Sequence, residues 1–597
     1  MSKKNNSALK RMLGYAWVED KSIYFLCAIY TLAAIMVPVI SVALPKVIIG
    51  YLTEGEALVS GIVRLALIFF ISGATVYFLK EWLLDYTYPR ITTLRIDYIK
   101  EQAVKLLTMD YKYMEQAEFF NSRERAFEST SSNNNGVEGI FHKLFELPQL
   151  VLIVLALSVF IGIKSIWILL ALILHIFVTT YIAIIVQKYQ YKRKEELSKK
   201  ERRVSYYSST SKDFSFGKDI RMYDLKTRIL DNFKKEISGY IDIFKVIKNK
   251  EYLLGFLSLL TLIIADIAAY GMLTILVVKG MSIADYSMYI AACVTLTVQM
   301  TSLSENVTYI MQEYMYVKDL YKFFDEDLGN KGGTLPAVSK DMPLEIEFID
   351  VNFTYPGTDK PIFTNFSLHI PPASKLALVG INGAGKTTFV KLLTGMFKAD
   401  SGKILINGKD INEYDRQELF SMFCVVFQEV NILALTIAQN IACSIDNIDY
   451  ERVDEVLKQV DLYDKVKSLD KGVDSMMLKV IEEDGVVFSG GENQRLAIAR
   501  ALYKGGNCVI MDEPTASLDA LAEASIYSQF DTLIHGRTAI YISHRLASTK
   551  FCDSIALIDN DGLSEYGTHD ELMALGGAYH DMFIVQGKYY QTQEEEI

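Results

Sequence analysis

The chain has little cysteine, and what it has is scattered. Cys27, Cys293, Cys424, Cys443, Cys508 and Cys552 include no pair at the close spacing of a metal site or redox motif, so they read as reduced thiols packed as small apolar groups. An excess of positive charge is also missing. The net charge is -11, and Lys and Arg cluster only beside the apolar runs, which argues against a nucleic-acid partner. The basic start MSKKNNSALKRML leads into a full apolar run without a small-residue cleavage site, so the expectation is a cytoplasmic lead-in and not a removed signal. Apolar residues are abundant, 51% of 597 residues, and they are unevenly spread. Long apolar runs fill the chain before residue 310, whereas the remainder has the composition of a globular α/β protein.

A helix crossing a bilayer needs about 20 mostly apolar residues. Six stretches qualify: Ile23–Ile49, Gly61–Leu84, Leu147–Ile163, Ser165–Gln187, Tyr252–Val278 and Ile283–Ile310. Gly162-Ile163-Lys164 reads as a tight turn between the third and fourth. The sixth carries Glu305 and several Thr and Ser residues and is the least apolar. Asp266, His175 and Glu305 are ionisable groups within these runs, where each either lines a cavity or bonds to a neighbouring helix.

Charge orients the spans. The segment Lys188–Lys250 holds 18 Lys or Arg, and Asp85–Glu146 is basic in patches, whereas Gly50–Ser60 has none and carries Glu54 and Glu56. Both termini and both long connections are therefore expected on the cytoplasmic side. Those connections are too long to be structureless. They read as helices continuing out of the bilayer, with short turns near Glu118–Ser122 and Ser215–Asp219 that could touch a cytoplasmic domain.

Leu328–Pro343, with Gly329, Gly332, Gly333, Pro336 and Pro343, reads as a linker. The domains expected are thus a membrane domain over 1–327 and an α/β domain over 344–597. In the second, KLALVGINGAGKTTFVKLL contains G-x-x-x-x-G-K-T from Gly380 to Thr387. Backbone N–H groups around Gly380, Asn382, Gly383, Ala384 and Gly385 can close on phosphates. Lys386 neutralises their charge, Thr387 offers a hydroxyl to Mg²⁺, and Thr388 continues the helix whose positive end faces the anion. CVIMDEPTASLDA places Asp512 at a strand tip beside that metal, and Glu513 next to it as a general base for water. Between them, FSGGENQRLAIARAL opens a helix with a Ser-Gly-Gly turn.

With these motifs in this order, the chain resembles an ATP-binding cassette (ABC) transporter of the exporter type, with six membrane helices fused to one P-loop nucleotide domain. The resemblance implies ATP and Mg²⁺ as ligands. It implies adenine stacking at Tyr355, a Mg²⁺- and water-sensing Gln428, an interface loop at Asp519 and a γ-phosphate contact at His544. It also implies a signature turn at Ser489, Gly490 and Gly491, here followed by Glu492. The family form is LSGGQ and this chain has FSGGE, so Glu492 brings a negative charge near a phosphate site. Two nucleotide domains sandwich two ATP molecules in this family. One copy per chain therefore implies a half-transporter pairing with a second chain, a homodimer in preference to a heterodimer, in the bacterial cytoplasmic membrane. Outward transport of a peptide or amphipathic small molecule is the expectation. Lipid or drug export, import of metal-chelator complexes and an ATP-gated channel are the alternatives.

Overall fold

The computed structural model describes residues 7–53, 58–329, 332–340, 342–514, 534, 536–544, 546–559 and 562–591. They form two compact bodies, one of Met1–Leu107 with Phe120–Asp327, the other of Thr108–Phe119 with Leu328–Ile597.

The first body is helical: α1 (Ala8–Glu19), α2 (Ser22–Thr53), α3 (Val59–Thr108), α4 (Ala117–Glu128), α5 (Gly136–Lys164), α6 (Ile166–Lys212), α7 (Gly217–Met222), α8 (Lys226–Val278) and α9 (Ile283–Asp325). With 50, 47 and 53 residues, α3, α6 and α8 run about 70–80 Å at 1.5 Å per residue. That is more than twice the ~30 Å of bilayer hydrocarbon, so these helices extend well past their apolar windows. Among the described residues, α2, α3, α5, α6 up to Gln190, and α8 are long and apolar enough to cross a membrane. Helix α9 is one unbroken helix of 43 residues but has no window that apolar. Its hydroxyls are absorbed internally: Thr297 and Thr301 donate to the carbonyls of Cys293 and Thr297, at 3.1 and 2.8 Å, which lets polar residues sit in a helix without orphaned donors. Ser304 adds a 2.8 Å bond to Thr180 of α6.

One sequence expectation is corrected in this body, and one pair of alternatives is decided. Helix α5 runs through Gly162-Ile163-Lys164, and the break is the single residue Ser165, extended at φ -153° and ψ 113°. One glycine in a helix costs only about 1 kcal/mol, too little to end it. His175 is buried and its Nδ1 bonds Thr261 Oγ1 at 2.9 Å, so it bridges α6 and α8. Asp266 is half-buried and Glu305 exposed.

The second body contains two sheets. The smaller is antiparallel, in the order β2 (Pro361–Ile370), β1 (Ile346–Thr354), β4 (Ser401–Ile406), β5 (Lys409–Asp410). The larger has the order β10 (Gly562–Gly567), β9 (Ser554–Asp559), β3 (Lys375–Gly380), β8 (Thr538–Ile542), β7 (Cys508–Asp512), β6 (Phe423–Val426). It is parallel except for the β9–β10 hairpin. Strands β7 and β8 are buried at every residue, the mark of a sheet covered on both faces. The side-chain alternation divides the core. Leu376, Leu378, Cys508 and Ile510 face one apolar cluster, and Ala377, Val379, Val509 and Met511 face the other.

The presumed linker is not free. Gly333 N–H donates to Tyr414 O at 2.8 Å, Leu335 N–H to Glu413 O at 2.9 Å, and Asn507 Nδ2 to the carbonyls of Ser339 and Met342 at 2.6 and 2.9 Å. The described residues of 328–343 therefore form a strap on the second body. So does Thr108–Phe119, between α3 and α4 in sequence. Tyr111 packs edge-on against Phe397 at 5.8 Å, and Glu115 pairs with Lys391 at 2.7 Å. The docking turn is thus Tyr111–Glu115, a few residues before the stretch expected at Glu118–Ser122. The region expected at Ser215–Asp219 is a short turn and α7, with Phe214 94% exposed.

Candidate active site

Four adjacent parallel strands end on the same edge of the large sheet. In spatial order β3 leads into the phosphate loop, β8 into Ser543-His544, β7 ends in Asp512 followed by Glu513, and β6 leads to Gln428. Ligands of open α/β sheets bind at this carboxyl edge, and it gathers residues spread over more than 160 positions of sequence.

The phosphate loop needs its glycines for space as well as for φ. A Cβ on Gly380 would stand 2.1 Å from Ile558 O, and one on Gly385 (φ 96°) would stand 2.8 Å from the Ile362 side chain. Helix α10 (Lys386–Leu393) begins immediately after Gly385, presenting unpaired N–H groups and a positive dipole end to the loop. Asn382 and Gly383 are exposed and Ala384 is buried. Lys386 is buried, and its Nζ donates to the Gly380 and Ile381 carbonyls at 2.9 and 3.0 Å. Burial lowers its pKa, opposed by the nearby Glu513 and Asp512 carboxylates.

Thr387 Oγ1 donates to Asp512 Oδ2 at 3.2 Å. Burial pushes Asp512 up to about 6, with the Glu513 charge adding and the Thr387 bond and Lys386 opposing. A buried carboxylate, a hydroxyl and the exposed Gln428 amide are hard oxygen donors of the kind Mg²⁺ takes, and a cation there would relieve the burial of Asp512.

Glu513 is held from several sides. Its backbone is left-handed at φ 50°, a conformation that costs a non-glycine residue about 1–2 kcal/mol. It is pinned by its N–H to Ile542 O at 3.0 Å and by Gln494 Nε2 donating to its carbonyl at 3.1 Å. Its side chain is bracketed: Gln428 Nε2 donates to Oε2 at 2.9 Å, and His544 Nε2 contacts Oε1. Gln494 is absent from the sequence reading, although it lies in the helix that the signature turn opens.

Tyr355, half-buried, follows β1. Its hydroxyl bonds Thr388 Oγ1 at 3.0 Å, and its ring meets Phe397 edge-on at 5.3 Å. The Ser-Gly-Gly turn is an N-cap. Ser489 Oγ accepts the Glu492 N–H at 3.3 Å and Glu492 Oε2 accepts the Ser489 N–H at 2.8 Å, a reciprocal capping box at the start of the helix Gly490–Lys504. The S-x-x-E spacing carried that signal. Asp519 lies outside the described residues.

A family profile described as ABC transporter matches residues 363–516, the stretch holding the phosphate loop, the signature turn and the Asp512-Glu513 pair. Over this stretch the chain is similar to the ABC transporter family. The ATP-dependent lipid A-core flippases of Escherichia coli K12 and Shigella flexneri are each 37% identical to this chain over 243 residues, 40% of this chain and 41% of theirs. The chain thus spans about two fifths of the length of these curated relatives. A solved structure, described as a bacterial Atm1-family ABC exporter with ATP bound, covers 97% of this chain and 100% of its own chain, at TM-score 0.77 and 22% identity. The fold is that of an ABC exporter, a helical membrane region fused to a nucleotide-binding domain.

Proposed function

We propose that this chain is an ATP-driven exporter of the ABC transporter family and works as a pair of chains. The carrying observation is Glu513, whose carboxylate sits beside the Thr387–Asp512 pair and is flanked by Gln428 and His544. In this reading Tyr355 stacks on adenine, and the loop Gly380–Thr388 with Lys386 holds the phosphates. Thr387, Asp512 and Gln428 would hold Mg²⁺, which when bound would supply charge neutralisation for the phosphates. Glu513 takes the proton of the attacking water, and His544 orients that carboxylate and reaches the γ-phosphate. Ser489, Gly490 and Gly491, with Asp519, serve the nucleotide bound on the other chain.

Since each ATP needs two chains, the initial ATPase rate of dilute protein is expected to rise more steeply than linearly with concentration. A strictly linear rise would sink the pairing. Homodimer is the preferred assembly, because Glu513, His544 and the Ser-Gly-Gly turn all stand in one chain. Export predicts ATP-dependent accumulation of substrate inside inverted vesicles, and depletion would reverse the direction. The flippases support a lipid or other amphipathic substrate over a peptide. Stimulation of ATPase by lipid, and not by peptides or drugs, is the discriminating result.

A further inference from the structure

Two residues separate FSGGE from LSGGQ, Phe488 and Glu492, and one side chain meets both. Lys465, in the short helix Tyr463–Lys467, forms an ion pair with Glu492 Oε1 and lies over the Phe488 ring, 5.2 Å from its centroid. The Glu492 side chain is 17% exposed and that of Lys465 44%, so the charge at risk is the buried partner's. Glu492 Oε2 meanwhile caps the Ser489 N–H. A glutamine oxygen could accept that same N–H, since the capping box takes Glu or Gln alike. The cap does not need the charge, whereas the charge needs Lys465. Burial works to raise the Glu492 pKa, but the Lys465 pair and the bonds to Ser489 hold it below the ordinary value. Near the pair, Arg495 is engaged by Asp461, which leaves Lys465 as the cation on Glu492 among the described residues.

We propose that Lys465 is a positioning residue for the signature turn, neutralising the charge that Glu492 places beside the ATP held by the partner chain and seating the turn through Phe488. This rests on the two-chain site proposed above. With Lys465 present the turn offers the phosphate its hydroxyl and N–H groups alone. Without it the turn also offers a repelling carboxylate, and one such charge in a half-buried setting is worth about tenfold in affinity.

The test is a double-mutant cycle on the full chain in detergent, measuring ATPase kcat and KM for the wild type, Lys465→Ala, Glu492→Gln and the double variant. Lys465→Ala should raise the KM for ATP about tenfold while kcat changes less than about threefold, and added salt should shrink the KM effect. In the Glu492→Gln background the same substitution should change KM less than about twofold, which also shows that the lysine is dispensable for folding. Equal penalties in both backgrounds would mean that Lys465 only packs, and no penalty in the wild-type background would mean that it does nothing. Either overturns the inference while leaving the two-chain site standing. A wild type whose ATPase rises linearly with concentration removes the two-chain site and this inference together.

Discussion

Glu513→Gln is expected to lower steady-state ATPase by about a hundredfold or more while ATP still binds. The substitution keeps the shape and one carbonyl oxygen of a side chain whose two carboxylate oxygens are separately engaged, by Gln428 at 2.9 Å and by His544. It removes the group able to take a proton from water. The residues around the phosphate loop are untouched, since Lys386 bonds to loop carbonyls and Thr387 to Asp512. The variant should therefore bind ATP, pair and stall. Single-turnover hydrolysis alongside nucleotide retention separates the outcomes. If His544 were the base, His544→Ala would show the large loss and Glu513→Gln a small one.

Gly380→Ala is expected to destabilise the second body by about 3 kcal/mol or more, a size confined to named structural faults. Gly380 is paired with Ile558 in the β3–β9 ladder, and a Cβ would meet the Ile558 carbonyl oxygen at 2.1 Å. The Cβ position is fixed by the backbone and the oxygen it meets is backbone, so no rotamer can relieve the contact. The two strands would have to part at the point where the phosphate loop begins, and ATP binding should fall with the stability. Gly383→Ala is the control. Its φ is 85° but nothing lies within 4 Å of an added Cβ, so only the left-handed backbone counts, about 1–2 kcal/mol. Thermal unfolding with and without ATP distinguishes the two. Similar small shifts for both would show that the β3–β9 contact gives way easily.

The residues gathered at the candidate site were legible because their signals are local: a glycine spacing, an apolar strand ending in two acids, a Ser-Gly-Gly turn before a helix. What was not legible depends on distant partners. The bracketing of Glu513 joins residues 428 and 544 through strand order and 494 through a packed helix, which no sequence window contains. Glu492 looked like a charge facing phosphate because Lys465 lies 27 positions away. The membrane helices were visible as apolar runs, but their ends were not, since charged amphipathic sequence continues the same helices. Gly162 looked like a turn because glycine often marks one, whereas the helix tolerates it and Ser165 makes the break.

The strap and the turn around Tyr111 make the second body discontinuous in sequence, so no single cut in the chain releases it whole. A fragment beginning at Leu344 would lose Leu335, which bonds Glu413, and the Tyr111–Glu115 segment that covers Phe397 and Lys391. Lys391 also lies 5.5 Å from the centre of the Tyr355 ring. Kinetic constants taken on such a fragment would describe a site in which Tyr355, the residue proposed to stack on adenine, has lost support for the side chains packed against it.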